Sequence, residues 1–166
     1  MQKLQLIVVA TAFFAGAALP VSAQHPPAPP PTTPYGSPIG IEAAKKVMAA
    51  AEAEAVKNNW PMAIVILDST GHVVMLHKLD NTQYGSIQVA EGKAQTAVDF
   101  RRPSKVFEDA VAGGGVGLRL LSLGVSTLEG GIPIAVDGKI VGAIGVSGAL
   151  SAQDAQVAKA GADAVK

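Results

Sequence analysis

The stretch EGGIPIAVDGKIVGAIGVSGA, from Glu129 to Ala149, constrains the fold more than any other part of the chain. Two runs of small and β-branched residues flank Asp137-Gly138, a pair that favours a two-residue hairpin turn. We therefore predict two antiparallel strands. Glycine weakens a strand unless something approaches the backbone closely. Gly131, Gly142 and Gly145 are thus predicted to mark contact with a helix, a neighbouring subunit or a ligand.

The same stretch lacks two enzymatic motifs that its glycines suggest at first sight. Its G-x-x-G-x-x-G spacing matches neither the dinucleotide-binding fingerprint nor the P-loop. The run Gly145 to Ala149 differs from the G-x-S-x-G nucleophile elbow at one residue. That elbow requires a histidine further along the chain, whereas the last histidine is His77. The sequence therefore argues against Ser147 as a nucleophile.

The first residues have the features of an export signal. Lys3 precedes an apolar run, Leu4 to Leu19, and the small residues VSA precede Gln24. The apolar run is shorter than the roughly 20 residues of a membrane span, although a retained anchor is the alternative. We predict a signal peptide over residues 1–23, and hence a periplasmic or secreted protein with no stable membrane insertion after cleavage.

Residues 24–38 hold seven of the eleven prolines and form a predicted extended or disordered tether. The globular domain is predicted over residues 39–166. The chain has no cysteine, which excludes disulfides, thiolate metal sites and a cysteine nucleophile. A formal net charge of zero and 4% aromatic residues make nucleic acid an unsuitable partner, because such binding relies on cationic surface and base stacking.

Apolar periodicity and turn residues predict the order helix, two strands, two helices, loop, two or three strands, helix. Parallel βαβ alternation is absent, which favours the α+β class. Three helices are expected to begin at a serine, one of them with an aspartate that completes a capping box. A turn is expected to join the first two strands. These signals lie at Ser86, at Ser104, at Ser151 with Asp154, and at Asp68 to Gly71.

Three separated motifs occur in an order that resembles the GlcG/HbpS family of heme-binding proteins. They are VILDSTGHVV, GSIQVAEGKAQTAVDFRRPS, and GGIPIAVDGKIVGAIGVSGA followed by AQDAQVAKAGADAV. The resemblance implies a profilin-like antiparallel sheet of about five strands flanked by helices, and assembly into a homo-oligomer. It also implies heme or iron binding in exported members, and an association of other members with the breakdown of small hydroxy acids.

The resemblance supplies no heme ligand, so the candidates come from residue chemistry. Heme takes an apolar slot, an axial ligand such as His, Met or Tyr, and cations for its propionates. His72 and His77 are five residues apart on one predicted strand and should face opposite sides. We prefer His77, placed with Val73 and Met75, as axial ligand; a strand-end histidine bonded to a backbone carbonyl is the alternative.

Other candidates have structural alternatives of similar weight. Arg101 and Arg102 could anchor a propionate or another anion, or could simply complement the C-terminal end of a helix dipole. Tyr84 is a phenolate candidate or a packing residue, and His25 a ligand or a solvated residue of the tether. No metal-binding set is assigned.

We therefore expect an exported, homo-oligomeric α+β protein that binds heme, or senses heme or iron, without being an enzyme. The alternative is an enzyme or accessory protein acting on a small carboxylate or hydroxy acid, with Arg101 or Arg102 as anion anchor. A structural or sensor-partner protein that binds no ligand is a third possibility.

Overall fold

The computed structural model describes residues 32–166. The predicted signal peptide and the tether as far as residue 31, including His25, lie outside the described residues. The elements in chain order are α1 (Ile41–Lys57), β1 (Ala63–Asp68), β2 (Val73–Lys78), α2 (Ser86–Phe100), α3 (Lys105–Ala112), a 3₁₀ segment (Gly115–Leu123), β3 (Gly131–Val136), β4 (Lys139–Ser147), α4 (Ser151–Ala162) and a 3₁₀ turn (Asp163–Val165).

The four strands form one antiparallel sheet in the order β2-β1-β4-β3. The α+β class is confirmed, with four strands where about five were predicted. Strand β1 is central because its residues are apolar on both faces and buried from Ala63 to Leu67. Strands β2 and β3 are the two edges of the sheet.

Helices cover both faces of this sheet. Helices α1 and α4 pack on one face, against the side chains of Ile64, Ile66 and Ile144. Helix α2 packs on the other face, against Val65 and Leu67. The helices meet the sheet largely through alanine, which keeps them close to the strands; the buried alanines are Ala44, Ala51, Ala55, Ala90, Ala94, Ala97, Ala158 and Ala162.

The strand glycines make room for neighbouring backbone. A Cβ added at Gly145 would lie 2.0 Å from the Ala90 carbonyl oxygen, and one at Gly131 would lie 2.0 Å from that of Lys93, both in α2. A Cβ at Gly142 would lie 2.2 Å from the Leu67 carbonyl oxygen in β1. Helix–sheet and strand–strand packing therefore occupies the space at all three glycines.

Both hairpin turns form where local sequence chemistry predicts them. Asp137 and Gly138 have φ values of 51° and 71°, the left-handed conformation that a tight two-residue hairpin requires. In the β1–β2 turn, the Asp68 carboxylate accepts hydrogen bonds from the backbone of Thr70 and His72. The β1–β2 register shifts between Ile66 and Leu67, so β2 contains a bulge that sequence periodicity did not predict.

The end of the predicted tether belongs to the folded domain. The Ile140 N–H donates to the Pro34 carbonyl and the Gly36 N–H donates to the Ile140 carbonyl, each at 2.8 Å. The Tyr35 hydroxyl donates to the Val98 carbonyl at 2.6 Å. Residues 34–36 therefore extend the sheet beside β4 and attach to the end of α2.

The helices do not begin as predicted: two start at the predicted capping serine itself, one residue earlier than expected, and the third serine bonds other parts of the chain. Gly85 and Leu150 precede α2 and α4, in place of the predicted caps Ser86 and Ser151. Ser104 does precede α3, yet its hydroxyl donates to the Leu128 carbonyl and accepts the Gly131 N–H. The Ser104 hydroxyl is thus used by residues 24 and 27 positions away instead of by its own helix, whereas the buried Ser86 hydroxyl has no hydrogen-bond partner within residues 32–166.

Candidate functional site

His77 lies on edge strand β2, on the face that α1 covers. It pairs with Ile64 of β1, and its Nδ1 lies 2.6 Å from Glu52 Oε1 of α1. The two side chains are 42% and 33% exposed, so solvent and ligands can reach them. The β2 bulge places Val73 opposite Leu67 rather than Asp68, which moves Val73 to the other face of the sheet. Met75 therefore shares the face of His77, and the predicted placement of Val73 on that face is wrong.

The Glu52 contact defines which histidine nitrogen is available. An ionised carboxylate only accepts hydrogen bonds, so Nδ1 carries the proton. In the neutral imidazole, Nε2 is then the nitrogen with a free lone pair. A carboxylate that holds the distal nitrogen is the usual partner of a metal-ligating histidine, because it fixes the ring and raises its basicity.

A shallow hollow lies near this pair, although neither His77 nor Glu52 lines it. It encloses about 350 Å³ between the end of α1, the residues before β1 and those after β2. Ala55, one turn along α1 from Glu52, and Leu79, two residues beyond His77, both line it. Its lining is mixed: Val56, Trp60 and Pro61 are apolar, and Asn59, Asp80 and Asn81 are polar or charged.

Arg101 and Arg102 lie away from His77. Arg101 ends α2 in a left-handed conformation, with its guanidinium carbon 5.4 Å from the centre of the Tyr35 ring. Tyr35 pairs with Ile140 of β4. His77 pairs with Ile64 of β1, and Ile64 pairs with Val146 of β4, which is six residues from Ile140. That separation is about 20 Å along the strand. Because α2 also covers the opposite face, the two groups do not share a site within one chain.

The remaining candidates lie in turns. His72 precedes β2, with its Nδ1 2.8 Å from the Thr70 hydroxyl. Tyr84 precedes α2 and is 91% exposed. Arg102 is exposed, and its Nε donates to the Phe100 carbonyl at 3.0 Å.

Sequence reasoning missed a buried ion pair between Lys93 of α2 and Asp154 of α4. Their side chains are 1% and 3% exposed, and Nζ lies 2.7 Å from Oδ2. Lys93 also donates to the Val146 carbonyl, and the Ala149 N–H donates to Asp154. Burial raises the pKa of Asp154, against the lowering effect of the Lys93 ammonium. Lys93 continues the stripe of buried alanines on α2, which is the signal that could have revealed it.

Metal-binding clusters and membrane-spanning helices are both absent from residues 32–166. In this range no three His, Asp or Glu side chains cluster closely enough to hold a metal ion. None of the helices in the same range has the length and apolar character needed to cross a bilayer.

Residues 39–163 match the family model described as "Haem degrading protein HbpS-like". The protein GlcG of Escherichia coli K12 is 42% identical over 109 residues, which are 66% of this chain and 81% of GlcG. The crystal structure of HbpS superposes with a TM-score of 0.72 at 29% identity, over 79% of this chain and 92% of HbpS. The crystal structure of a PduOC:heme complex has a TM-score of 0.70 at 26% identity, over 78% and 96%.

Proposed function

This chain belongs to the HbpS-like family, and on that premise we propose that it is an exported, homo-oligomeric protein that binds heme without chemical turnover. The observation that carries the proposal is the likeness of its fold to the PduOC:heme complex. The family description and the HbpS structure support the same ligand class.

The proposed axial ligand is His77, through Nε2. The ligand atom fits an iron porphyrin, because Glu52 holds the imidazole through Nδ1, and the hollow that includes Leu79 offers apolar surface from Trp60, Pro61 and Leu79 nearby. Trp60 and Leu79 would contact the porphyrin face or edge. When bound, the heme supplies the iron centre; the protein supplies one nitrogen ligand, its orientation and an apolar surface.

Arg101 and Arg102 do not fit as propionate anchors for a heme held by His77 of the same chain. Pairing of a propionate with either arginine requires a second chain. Turnover of a small carboxylate anchored by these arginines has less support, because Arg101 stacks on Tyr35 and Arg102 binds the Phe100 carbonyl.

Hemin titration followed by visible absorbance tests the proposal. We expect a saturable Soret shift at one hemin per chain in the wild-type protein. His77→Ala should move the Soret maximum and weaken binding, because it removes the iron ligand. Glu52→Gln should weaken binding less, because the amide still holds the ring without its charge. His72→Ala is the matched control and should bind like wild type.

Two results would overturn parts of the proposal. A wild-type spectrum equal to nonspecific hemin adsorption on albumin would reject heme as the ligand. A His77→Ala spectrum and affinity equal to wild type would reject only this axial ligand, and would leave heme binding to another residue.

Self-association is supported by exposed apolar side chains on α3, on the 3₁₀ segment and after it; these are Val106, Val116, Leu118, Leu121, Leu123 and Leu128. Leaving these apolar side chains in contact with water is unfavourable. Light scattering at micromolar concentration should give a mass above that of one chain, and Leu121→Lys should lower it. A monomer mass for wild type would reject oligomerisation.

Export is proposed from the leader sequence. Expression with the native N-terminus should yield a periplasmic or secreted protein whose first residue is Gln24. Recovery of the protein in the cytoplasm with Met1 intact would contradict it.

A further inference from the structure

A second cavity lies on the other side of the molecule from His77, between edge strand β3, helix α4 and the corner that joins α2 to α3. It encloses about 400 Å³ and opens into a neighbouring groove of about 690 Å³, with which it shares Pro103, Ile132 and Lys159. Small-molecule sites commonly have volumes of about 300 to 1,000 Å³. Its size therefore suits a small ligand.

The cavity has an apolar floor made of small side chains. Ile132 and Pro103 form one wall, and Ala152 and Ala155 of α4 form the other. Gly130 and Gly131 also line it, and neither carries a side chain that would fill the space. A ligand with an aliphatic body can lie against these atoms.

The strand edge in this cavity is unsuited to pairing with another strand. Gly130 accepts a hydrogen bond from Val146 of β4, so alternation points the backbone groups of Gly131 and Pro133 outward. Ser104 bonds both backbone groups of Gly131, at 2.9 Å each. Pro133 has no N–H to donate. The occupant is therefore recognised by side chains rather than by strand addition.

Lys105 of α3 and Lys159 of α4 both line the cavity. Lys105 Nζ lies 2.8 Å from Asp109 and 4.0 Å from Glu129, and Lys159 pairs with Asp163. The hydrogen bond to Asp109 raises the pKa of Lys105, so this lysine is charged at neutral pH. An ammonium has three donors. Each lysine therefore keeps N–H groups for a ligand beside its carboxylate partner.

From these observations we propose that the cavity binds a small aliphatic monocarboxylate. The carboxylate head accepts hydrogen bonds from Lys105 and Lys159, and the hydrocarbon body lies on Ile132, Ala152 and Ala155. Glu129 at the rim opposes the negative head and limits the affinity. This site is separate from the heme site proposed at His77.

The probe is hexanoate, titrated into the purified full-length protein and followed by calorimetry and by amide NMR shifts of Gly130, Gly131 and Ile132. Acetate, which lacks the body, and 1-hexanol, which lacks the charge, should bind more weakly. Replacing both lysines, Lys105→Gln with Lys159→Gln, should weaken hexanoate about tenfold, the effect of losing charge-assisted hydrogen bonds. Lys46→Gln on the exposed side of α1 is the matched control and should leave the affinity for hexanoate unchanged.

Two further variants test the cavity from opposite directions. Ala155→Phe fills the floor and should abolish binding, whereas Ala53→Phe on an exposed part of α1 should not. Glu129→Gln removes the repelling charge and should tighten binding. His77→Ala should leave hexanoate binding unchanged, so a failure of the heme proposal is distinguishable from a failure here. The proposal would be overturned if acetate bound as tightly as hexanoate, or if hexanoate shifted amides other than those of Gly130, Gly131 and Ile132. It would also be overturned if the lysine substitutions left hexanoate binding unchanged.

Discussion

Lys93 and Asp154 form an ion pair that joins helices on opposite faces of the sheet. Lys93 belongs to α2 and Asp154 to α4, and their charged groups meet 2.7 Å apart beside Gly130. A Cβ at Gly130 would lie 2.9 Å from both Lys93 Nζ and Asp154 Cβ. Gly130, the residue before β3, therefore lacks a side chain at the point where the two helices reach each other.

Breaking this pair from one side should strongly destabilise the protein. Lys93→Met leaves a buried carboxylate without its cation, which typically costs about 3 to 5 kcal/mol in the free energy of unfolding. The double variant Lys93→Met with Asp154→Leu should recover much of that loss, because no isolated charge stays buried. Urea unfolding gives the free energy of unfolding of the single and the double variant. A double variant less stable than Lys93→Met would contradict the explanation, and Asp109→Ala in the exposed Lys105–Asp109 pair is the control.

The packing glycines should not tolerate a methyl group. Gly145→Ala places a Cβ 2.0 Å from the Ala90 carbonyl and should force α2 away from the sheet. Overpacking of this kind costs about 1 to 3 kcal/mol, or more where backbone must move. Gly85→Ala is a suitable control, because its φ is −66° and its Cβ would meet nothing within 4 Å. Equal thermal midpoints for the two variants would be inconsistent with close helix–sheet packing.

Residues 32–38 should contribute to stability through Tyr35. A chain that begins at Thr32 keeps the Tyr35 hydroxyl bond to Val98 and the backbone pairing with Ile140, whereas a chain that begins at Ile39 loses both. We expect a lower melting temperature for the shorter chain. Tyr35→Phe in the full-length protein isolates the hydroxyl and should cost about 1 kcal/mol. Identical melting curves for the two truncated chains would show that the segment is dispensable.

Asp68 should make the stability depend on acid pH. Burial opposes its ionisation, yet hydrogen bonds from the Thr70 hydroxyl and from the backbone of His72 and Thr70 lower its pKa below the ordinary 3.8. The unfolded chain then binds a proton more readily than the folded one, so this contribution is present above pH 3.8 and disappears as the pH falls below it. The stability difference between wild type and Asp68→Asn should therefore shrink over that range. A difference that stays constant with pH would contradict this.

Local signals in the sequence predicted the hairpins, the helices and the α+β class, because turn chemistry and apolar spacing act over a few residues. The β2 bulge and the docking of Tyr35 depend on partners far along the chain. Lys93 lies on the alanine face of α2, but only the fold shows that its partner is Asp154, which was predicted as part of a helix capping box. The separation of His77 from Arg101 likewise required the sheet order.

The blocked backbone of β3 also limits how the sheet can grow. Ser104 already bonds the backbone of Gly131, and Pro133 has no N–H to donate. A further strand would therefore form few backbone hydrogen bonds with the outer edge of β3. Strand β2, at the opposite side, is the edge that remains for pairing. Two chains joined through β2 would present only blocked edges outward, so sheet extension would terminate at a closed pair rather than propagate into a fibre.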